Sequence, residues 1–266
     1  MSGSTKVYTR RVIDDNETAD LGVTAGESEG GGADNYLAVT GAGGSVGPAL
    51  AAALLTRGFQ VALLTRPGKE RAALQRVAQL TTGNDEHAVA AFGVDLTDEP
   101  SMRAALSAAD QRFGHVAALF NVAGGFLMRP ATEAGTDDVE QMMARNFHTA
   151  VTATKAVLPG MLARRSGFVL AVGAGAASQA SPGRTAYAAA KAALAAYFRS
   201  LSSELKGTGV SAGILHPMGT IDTPPNRQAM PNANFASWLG VEAVIEAALY
   251  QMSGGGRVPE LELFAD

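Results

Sequence analysis

The sequence predicts an α/β protein built on one doubly wound parallel sheet with helices on both faces. After residue 34, short apolar runs alternate with longer segments of helical period. The apolar runs are continuous, which indicates strands buried on both faces, as in parallel sheets. A length of 266 residues suits a single domain of this kind, in which right-handed crossovers join successive strands.

The predicted elements follow one another in strand–helix pairs. Strands are predicted at residues 36–39, 60–64, 89–94, 116–122, 168–172, 210–215 and 258–263. Helices are predicted at residues 46–57, 69–80, 99–113, 137–158, 184–205 and 241–252. We expect ligands at the carboxyl ends of the strands, where the strand order reverses.

Residues 1–34 have the composition of a disordered tail. They are rich in Gly, Ser and Thr, and they carry seven acidic against three basic side chains. Such a segment buries too little apolar surface to offset the entropy lost on ordering. The alternative is a docking segment that uses an apolar cluster of Val7, Tyr8, Val12 and Ile13.

Charge and composition exclude several function classes. The remaining residues balance 18 basic against 18 acidic side chains, so no basic face is offered to a nucleic acid. There is no cysteine, and the four histidines lack metal-ligand spacing, so no metal is expected. No apolar run is long enough for a membrane span and no secretion signal is visible, so we expect no membrane partner and a cytoplasmic location.

A glycine-rich turn joins the first strand to the first helix. Glycines let a backbone turn sharply and approach a pyrophosphate, and the helix N-terminus supplies free N–H groups. Ser45 can cap those groups or donate to a phosphate, although any tight strand–helix turn could look like this one. The residues expected to contact a dinucleotide here are Gly41, Gly43, Gly44, Ser45, Val46 and Gly47.

The turn resembles the Thr-Gly-x-x-x-Gly-x-Gly motif of the short-chain dehydrogenase/reductase family, with Ser45 at the middle glycine. The resemblance implies a Rossmann-type domain over residues 35–266 and a nicotinamide cofactor. Asp95, followed by Leu96, matches the family residue that binds the adenine. The run from Asn121 to Gly124, which includes Ala123, resembles the family's Asn-Asn-Ala-Gly, whose asparagine ties the central strands together and whose Ala-Gly lets the ribose approach.

The end of the second strand bears on which nicotinamide is bound. A carboxylate there would accept from the adenosine ribose hydroxyls, whereas Arg66 offers donors to a 2′-phosphate. Lys69 and Arg71 are close enough in sequence to assist. We therefore favour NADP(H), with NAD(H) possible, over an ordinary solvated loop.

Tyr187 and Lys191 have the spacing that puts two side chains on one helix face. An ammonium near a phenol is expected to lower the phenol's pKa, which suits acid–base catalysis. The resemblance implies that Tyr187 is the catalytic acid and that both residues contact the nicotinamide ribose. It also implies that Asn146 holds a water in a proton relay to Lys191.

One member of the family's catalytic set is missing. The family has a serine thirteen residues before the tyrosine, and Ala174 stands at that position. Losing such a donor typically costs orders of magnitude in carbonyl reduction. Ser178, Ser181 or Thr185 would each need a different loop path to replace it.

Residues 217–238 look like a lid over nicotinamide and substrate. Part of this stretch resembles the quinonoid dihydropteridine reductase branch, which also lacks the serine, although Asn146 and Arg66 are not features of that branch. The expected nicotinamide contacts are Pro217, Ile221 and Thr223. The expected substrate contacts are Ala174, Asn226, Arg227, Met230 and Trp238, unless the last four only cover the surface.

The sequence therefore predicts an NADPH-dependent oxidoreductase that reduces a carbonyl or an activated imine of a small molecule. The alternatives are a repurposed relative that holds NADP(H) structurally in a non-redox cyclase, isomerase or binding protein, and an interaction protein that uses the acidic tail. The resemblance also implies a homodimer or homotetramer, joined through the helices at 137–158 and 184–205.

Overall fold

The computed structural model describes residues 35–82, 86–179, 181–253 and 258–265; the predicted tail lies outside them. In this part of the chain, seven strands form one parallel sheet. They are β1 (Asn35–Thr40), β2 (Val61–Thr65), β3 (Val89–Gly93), β4 (His115–Asn121), β5 (Gly167–Val172), β6 (Val210–Pro217) and β7 (Glu260–Leu263). Their order across the sheet is β3-β2-β1-β4-β5-β6-β7, so the predicted fold class is confirmed.

The helices connect these strands. They are α1 (Val46–Thr56), α2 (Glu70–Ala78), α3 (Glu99–Phe113), α4 (Thr136–Met143), α5 (Thr149–Arg164), α6 (Thr185–Glu204), α7 (Pro224–Ala229) and α8 (Val241–Met252). The helix predicted at 137–158 is α4 and α5 joined by one turn of π-helix at Ala144–His148. None of the described helices is both long and apolar enough to span a membrane.

The core lies on both faces of the sheet. In β1, Tyr36 and Ala38 face a cluster with α3, α5 and α6, whereas Leu37 and Val39 face a cluster with α1, α2 and α8. All four side chains are buried to 1% exposure or less. Burial on both faces explains why the strands are continuous apolar runs.

The strand order reverses between β1 and β4, and this reversal positions the site. The chain leaves β1 toward β2 on one side, and β4 pairs with β1 on the other. The buried hydroxyl of Thr40 at the end of β1 accepts from the backbone N–H groups of Val122 and Ala123, both at 3.1 Å. The glycine turn and the segment after β4 therefore meet at the crevice where doubly wound sheets bind ligands.

Candidate active site

The glycine turn packs too closely for side chains at two positions. Gly41 has φ +73°, and a Cβ there would lie 2.7 Å from the backbone nitrogen of Ala123. A Cβ on Gly47 would lie 2.5 Å from the carbonyl oxygen of Gly41. Ser45 makes no side-chain cap on α1, so the first-turn N–H groups are not satisfied by it. This cradle fits the pyrophosphate of a dinucleotide.

Asp95 lies just after β3, where the adenine contact is expected. Its Oδ1 accepts from the backbone N–H of Thr97 at 2.9 Å and from the Thr97 hydroxyl at 2.7 Å. The hydroxyl first, and then the N–H, hold the pKa of Asp95 below its usual value. The carboxylate is therefore an ionised acceptor, and Leu96 beside it packs against the core.

Asn121 does not tie the central strands together as we expected. Its side-chain amide donates to the Thr154 hydroxyl on α5 at 3.2 Å, so it links β4 to a helix. Its Oδ1 is buried and has no hydrogen-bond partner among the described residues. The strand-to-strand link is made by Thr40 instead, because only its hydroxyl reaches the backbone that follows β4.

Two arginines lie near the end of β2. Arg66 is exposed directly after the strand, and Thr65 before it is buried beneath the glycine turn, 3.6 Å from where a Cβ of Gly43 would be. Arg76 on α2 was not singled out from the sequence, yet its guanidinium donates to the carbonyl oxygens of Gly43 and Gly44. Nothing in the local sequence indicated this contact, which only the packing of α2 beside the turn creates.

Tyr187 and Lys191 lie one turn apart on α6 and face the crevice. Tyr187 lines a cavity of about 280 Å³. Lys191 is only 5% exposed, with its Nζ 2.8 Å from the Val172 carbonyl at the end of β5 and 5.9 Å from the centroid of the Tyr187 ring. The predicted pairing on one helix face is thus realised, with the lysine behind the tyrosine.

Burial sets the protonation of this pair in the protein alone. It raises the pKa of Tyr187 to about 12, against a smaller lowering by the charge of Arg184. It lowers the pKa of Lys191 to about 8. The expectation that Tyr187 has a pKa below its ordinary value is therefore wrong, because desolvation raises that pKa by more than the charge of Arg184 lowers it. A protonated phenol suits an acid better than a base.

Asn146 lies in the π-helical turn between α4 and α5. Its amide nitrogen donates to the carbonyl oxygens of Gly125 at 3.0 Å and Met142 at 3.1 Å, and its Oδ1 accepts from the Gly125 N–H at 3.1 Å. A Cβ on Gly124 would lie 2.8 Å from that Oδ1 and 3.8 Å from the Nζ of Lys191. Asn146, Gly124 and Lys191 are therefore neighbours, as a relay would require.

The cavity wall around Tyr187 comes from the loop after β5 and from the lid. Small and apolar residues dominate one side, and the remaining side chains are polar. The lining residues are Phe126, Gly173, Ala174, Gly175, Ala176, Gln179, Ser181, Arg184, Tyr187, Pro217, Met218, Gly219, Thr220, Ile221, Asn226 and Met230. Ala174 is thus on the wall at the place where the family has its serine.

Of the three hydroxyls considered as replacements, one reaches the cavity. Ser181 lines it. The Ser178 hydroxyl points to the Gly175 carbonyl at 3.5 Å, and Thr185 is exposed at the start of α6. The loop path after Ala174 therefore leaves Ser181 as the nearest substitute.

A buried histidine contacts the backbone of Ala174 from outside the cavity lining. The Nδ1 of His216 lies 3.3 Å from the Ala174 carbonyl oxygen, and its Nε2 lies 2.9 Å from Glu260, which also pairs with Arg199. Burial lowers the pKa of His216. A Cβ on Gly173 would lie 2.5 Å from the ring, so this glycine makes room for the contact. The histidine is outside the cavity lining and holds the loop in place.

Of the substrate contacts predicted on the lid, some line the cavity and others do not. Asn226 and Met230 line the cavity. Arg227 does not: its Nε and one terminal nitrogen donate to the two carboxylate oxygens of Asp222, each at 2.6 Å, and its guanidinium stacks on Phe235. Trp238 packs edge-on against the same Phe235 ring, outside the cavity lining.

The predicted nicotinamide contacts are similarly divided. Pro217 and Ile221 line the cavity. Thr223 is buried and caps α7, since its hydroxyl accepts from the Asn226 N–H at 3.4 Å. The short helix α7 was not predicted, because six residues are too few to show a helical period. The Thr-Pro-Pro start was its available signal.

Three polar residues of the cavity, Thr220 of the lid and two others, escaped the sequence analysis. Gln179 and Arg184 lie in the loop after β5 and belong to no motif we recognised. The position of Arg184, three residues before Tyr187, places it one helical turn from the catalytic tyrosine and was the available signal. No group of acidic or histidine side chains that could hold a metal is present within the ranges the structure describes.

Comparison with known proteins identifies the family of this chain. The profile of the short chain dehydrogenase family matches residues 35–234. A 2-(S)-hydroxypropyl-CoM dehydrogenase of Xanthobacter autotrophicus is 32% identical over 235 residues, covering 83% of this chain and 90% of the relative. An uncharacterised oxidoreductase of Staphylococcus saprophyticus is 29% identical over 225 residues, covering 85% and 94%.

A solved structure from Agrobacterium tumefaciens, assigned provisionally as a gluconate dehydrogenase, has the same fold. Its TM-score is 0.75 at 21% identity, covering 86% of this chain and 94% of the other. The glycine cradle at the strand-order reversal and the Tyr187–Lys191 pair agree with the family match. The chain belongs to the short-chain dehydrogenase family and is an NAD(P)-dependent oxidoreductase.

Proposed function

We propose that this enzyme uses NADPH to reduce a carbonyl or an activated imine of a small molecule. The observation that carries the proposal is the position of Tyr187, on the wall of the cavity and one helical turn from the buried Lys191. Both residues contact the segment after β4: the Phe126 ring lies 5.1 Å from the Tyr187 ring, and the Nζ of Lys191 lies 3.8 Å from where a Cβ of Gly124 would be. We infer that Asn146 completes the catalytic group.

Each residue has a defined task. The nicotinamide, when bound, supplies the hydride. Tyr187 donates its phenolic proton to the oxygen or nitrogen of the substrate, and its raised pKa keeps that proton on the phenol near neutral pH. Lys191, which Val172 holds through a backbone carbonyl, stabilises the phenolate that remains and orients the ribose hydroxyls. Asn146 holds the Gly125 backbone, which keeps the floor of the crevice in place.

The alanine at position 174 narrows the substrate class. Without a serine hydroxyl there, a carbonyl oxygen receives one donor fewer during reduction. An already polarised C=N or C=O bond depends less on that donor. The likeness of the lid to the quinonoid dihydropteridine reductase branch supports a substrate of this type, and the hydroxyl-bearing lining residues Ser181 and Thr220 are the candidates to compensate.

The preference for NADPH rests on the arginines at the end of β2. Arg66 is exposed where an NAD-specific site would have a carboxylate, and Arg76 lies against the glycine turn. Arginine pairs with phosphate through charge-assisted hydrogen bonds. The Arg66→Asp substitution should raise the KM for NADPH by about 10- to 100-fold and leave that for NADH nearly unchanged. Equal effects on the two cofactors would contradict this preference.

Activity can be tested with purified protein and a panel of ketones, quinones and quinonoid dihydropterin. Oxidation of NADPH and of NADH would be followed by absorbance, with Tyr187→Phe as the inactive control. Turnover that disappears in the variant would support the proposal. Tight NADPH binding without turnover of any substrate would overturn it and favour a non-redox role for the same pocket.

We also propose that the protein assembles as a homodimer or homotetramer through α4, α5 and α6. Val139 on α4 and Leu162 on α5 are large apolar side chains that are each 39% exposed in the single chain. Light scattering of the purified protein would test the assembly. A cytoplasmic location is likewise proposed, and cell fractionation would test it.

A further inference from the structure

The cavity beside Tyr187 has one charged side chain among its lining residues, and that side chain is cationic. Arg184 is the residue, and the other polar members of the wall, among them Gln179, Ser181 and Asn226, are neutral. No ion pair joins Arg184 to a carboxylate anywhere in residues 35–82, 86–179, 181–253 and 258–265. A partly buried guanidinium without an acidic partner is a common means of binding an anionic ligand group.

Aromatic contacts hold this guanidinium close to the reacting centre. The Cζ of Arg184 lies 5.4 Å from the centroid of Phe126, and the Phe126 ring packs edge-on against Tyr187 at 5.1 Å. One ring therefore separates the cation from the catalytic phenol. The charge of Arg184 is felt at that phenol, because it opposes the effect of burial on the pKa of Tyr187.

The other arginine of this region is unavailable to an anion. Arg227 is committed to Asp222 through two hydrogen bonds and to Phe235 by stacking. The remaining wall, formed by Ala174, Met218 and Met230 among others, offers apolar contact to an uncharged carbon skeleton. The cavity wall therefore combines one cation, several apolar side chains and the Tyr187 phenol.

We propose that the substrate is a small oxo acid whose anionic group binds Arg184. This inference rests on the proposed function, since it names the substrate class of the same site. Reduction would add a hydride to the carbonyl carbon and the Tyr187 proton to the carbonyl oxygen, giving the hydroxy acid and the oxidised nicotinamide. Binding the anion at Arg184 orients the carbonyl toward Tyr187, which compensates for the donor lost at Ala174.

The experiment compares pairs of compounds in which a carboxylate takes the place of a methyl group beside the carbonyl. 2-Oxobutanoate and butanone form one pair, and phenylglyoxylate and acetophenone form another. In the wild-type enzyme we expect kcat/KM for each acid to exceed that for its ketone by at least about 10-fold. The Arg184→Gln variant should lower kcat/KM for the acids by about 10- to 100-fold and that for the ketones by about twofold or less. Arg184→Lys should restore part of the loss.

Arg112→Gln is the matched control. The Arg112 guanidinium stacks on Phe113 at 5.1 Å, a geometry like that of Arg184 on Phe126, but it lies on α3 and does not line the cavity. This variant should treat acids and ketones as the wild type does. An Arg184→Gln variant that loses activity equally on acids and ketones would show a merely structural arginine and would overturn the proposal. A wild-type preference for the ketones would do the same.

Binding separates this proposal from the proposed function. Calorimetry on enzyme loaded with oxidised cofactor, which cannot reduce the compound, would compare 2-oxobutanoate, its sulfonate analogue and butanone. Binding of the acids that Arg184→Gln removes would support the anion site even if no compound is turned over, in which case only the reductase proposal fails. Equal binding of 2-oxobutanoate and butanone would overturn the anion site, and a preference for the sulfonate would assign the anion to that class.

Discussion

The glycine turn after β1 and the loop after β5 both lie at the carboxyl edge of the sheet, but they meet different constraints. At the turn, backbone packs against backbone: Gly41 touches Ala123 so closely that a methyl group has no room. At the loop, side chains such as Ala174 and Arg184 face an open cavity. The tightly packed turn therefore tolerates few substitutions, and its glycine motif is present. The cavity wall tolerates more: it has Ala174 where the family has a serine, and it includes the cation of Arg184.

The largest effect should come from Tyr187→Phe, which removes the proton donor that the reaction needs on both the cofactor side and the substrate side. We expect kcat/KM to fall by about 1,000-fold, within the range for losing a general acid, while the Kd for NADPH changes little. Steady-state kinetics and a fluorescence titration would measure the two quantities. Tyr250→Phe, on the exposed face of α8, is the control and should match the wild type. Retained activity in Tyr187→Phe would place the acid elsewhere.

The next largest effect concerns the cofactor side. Gly41→Ala should weaken NADPH binding by about 100-fold, because both the positive φ and the contact with Ala123 force the turn to move. Gly58→Ala is the matched control: Gly58 has φ +82° but nothing within 4 Å of its added Cβ. It should cost about 1 kcal/mol of stability without altering the Kd. Similar Kd values for NADPH in the two variants would contradict the assignment of the glycine turn as a cofactor site.

Lys191→Met should stabilise the cofactor-free protein, although it removes the cation proposed to stabilise the Tyr187 phenolate. Burial lowers the pKa of Lys191 from 10.5 to about 8, so below pH 8 the folded state holds an unfavourable charge that the unfolded state does not penalise. Removing that charge should raise the free energy of unfolding at pH 7 by about 2 kcal/mol.

The same shift predicts the pH dependence of the wild type. Between pH 8 and 10 the unfolded chain binds more protons at Lys191 than the folded chain, so the wild type should gain stability as the pH rises. Lys191→Met should lack that rise. Urea unfolding at several pH values would measure both effects, and a variant less stable than the wild type at pH 7 would contradict the argument.

The smallest effect tests the substrate side alone. Ala174→Ser adds a hydroxyl on the cavity wall, and it should raise kcat/KM for neutral ketones by about 10-fold through a new hydrogen bond to the carbonyl oxygen. Oxo acids held by Arg184 should gain less, since their carbonyl is already oriented. Kinetics on both classes would check this, with Ala177→Ser, in the same loop but outside the cavity lining, as the control. An equal gain in kcat/KM for oxo acids and ketones would contradict the idea that Arg184 already orients the carbonyl of the acids.

Local patterns were sufficient for most of the fold and for the cofactor side. Buried parallel strands need apolar side chains on both faces, so their runs can be read directly, and α3 and α8 have the predicted boundaries. The contact between Gly41 and the segment after β4 joins distant parts of the chain. It was nevertheless predictable, because the contact requires a glycine and that glycine is visible in the local sequence. The pairing of Tyr187 with Lys191 is also visible in the local sequence, because both residues lie on one helix at a spacing of four.

By itself the sequence determined the fold class and the order of its elements, and it predicted the cofactor cradle and the Tyr187–Lys191 pair. Only the tertiary structure decided that Asn121 bonds to α5, that Arg76 reaches the glycine turn and that Arg227 is paired with Asp222 while Arg184 lines the cavity. It also showed that burial governs the pKa of Tyr187. Periodicity and motifs record constraints within one element, whereas desolvation and side-chain partners depend on which elements pack together.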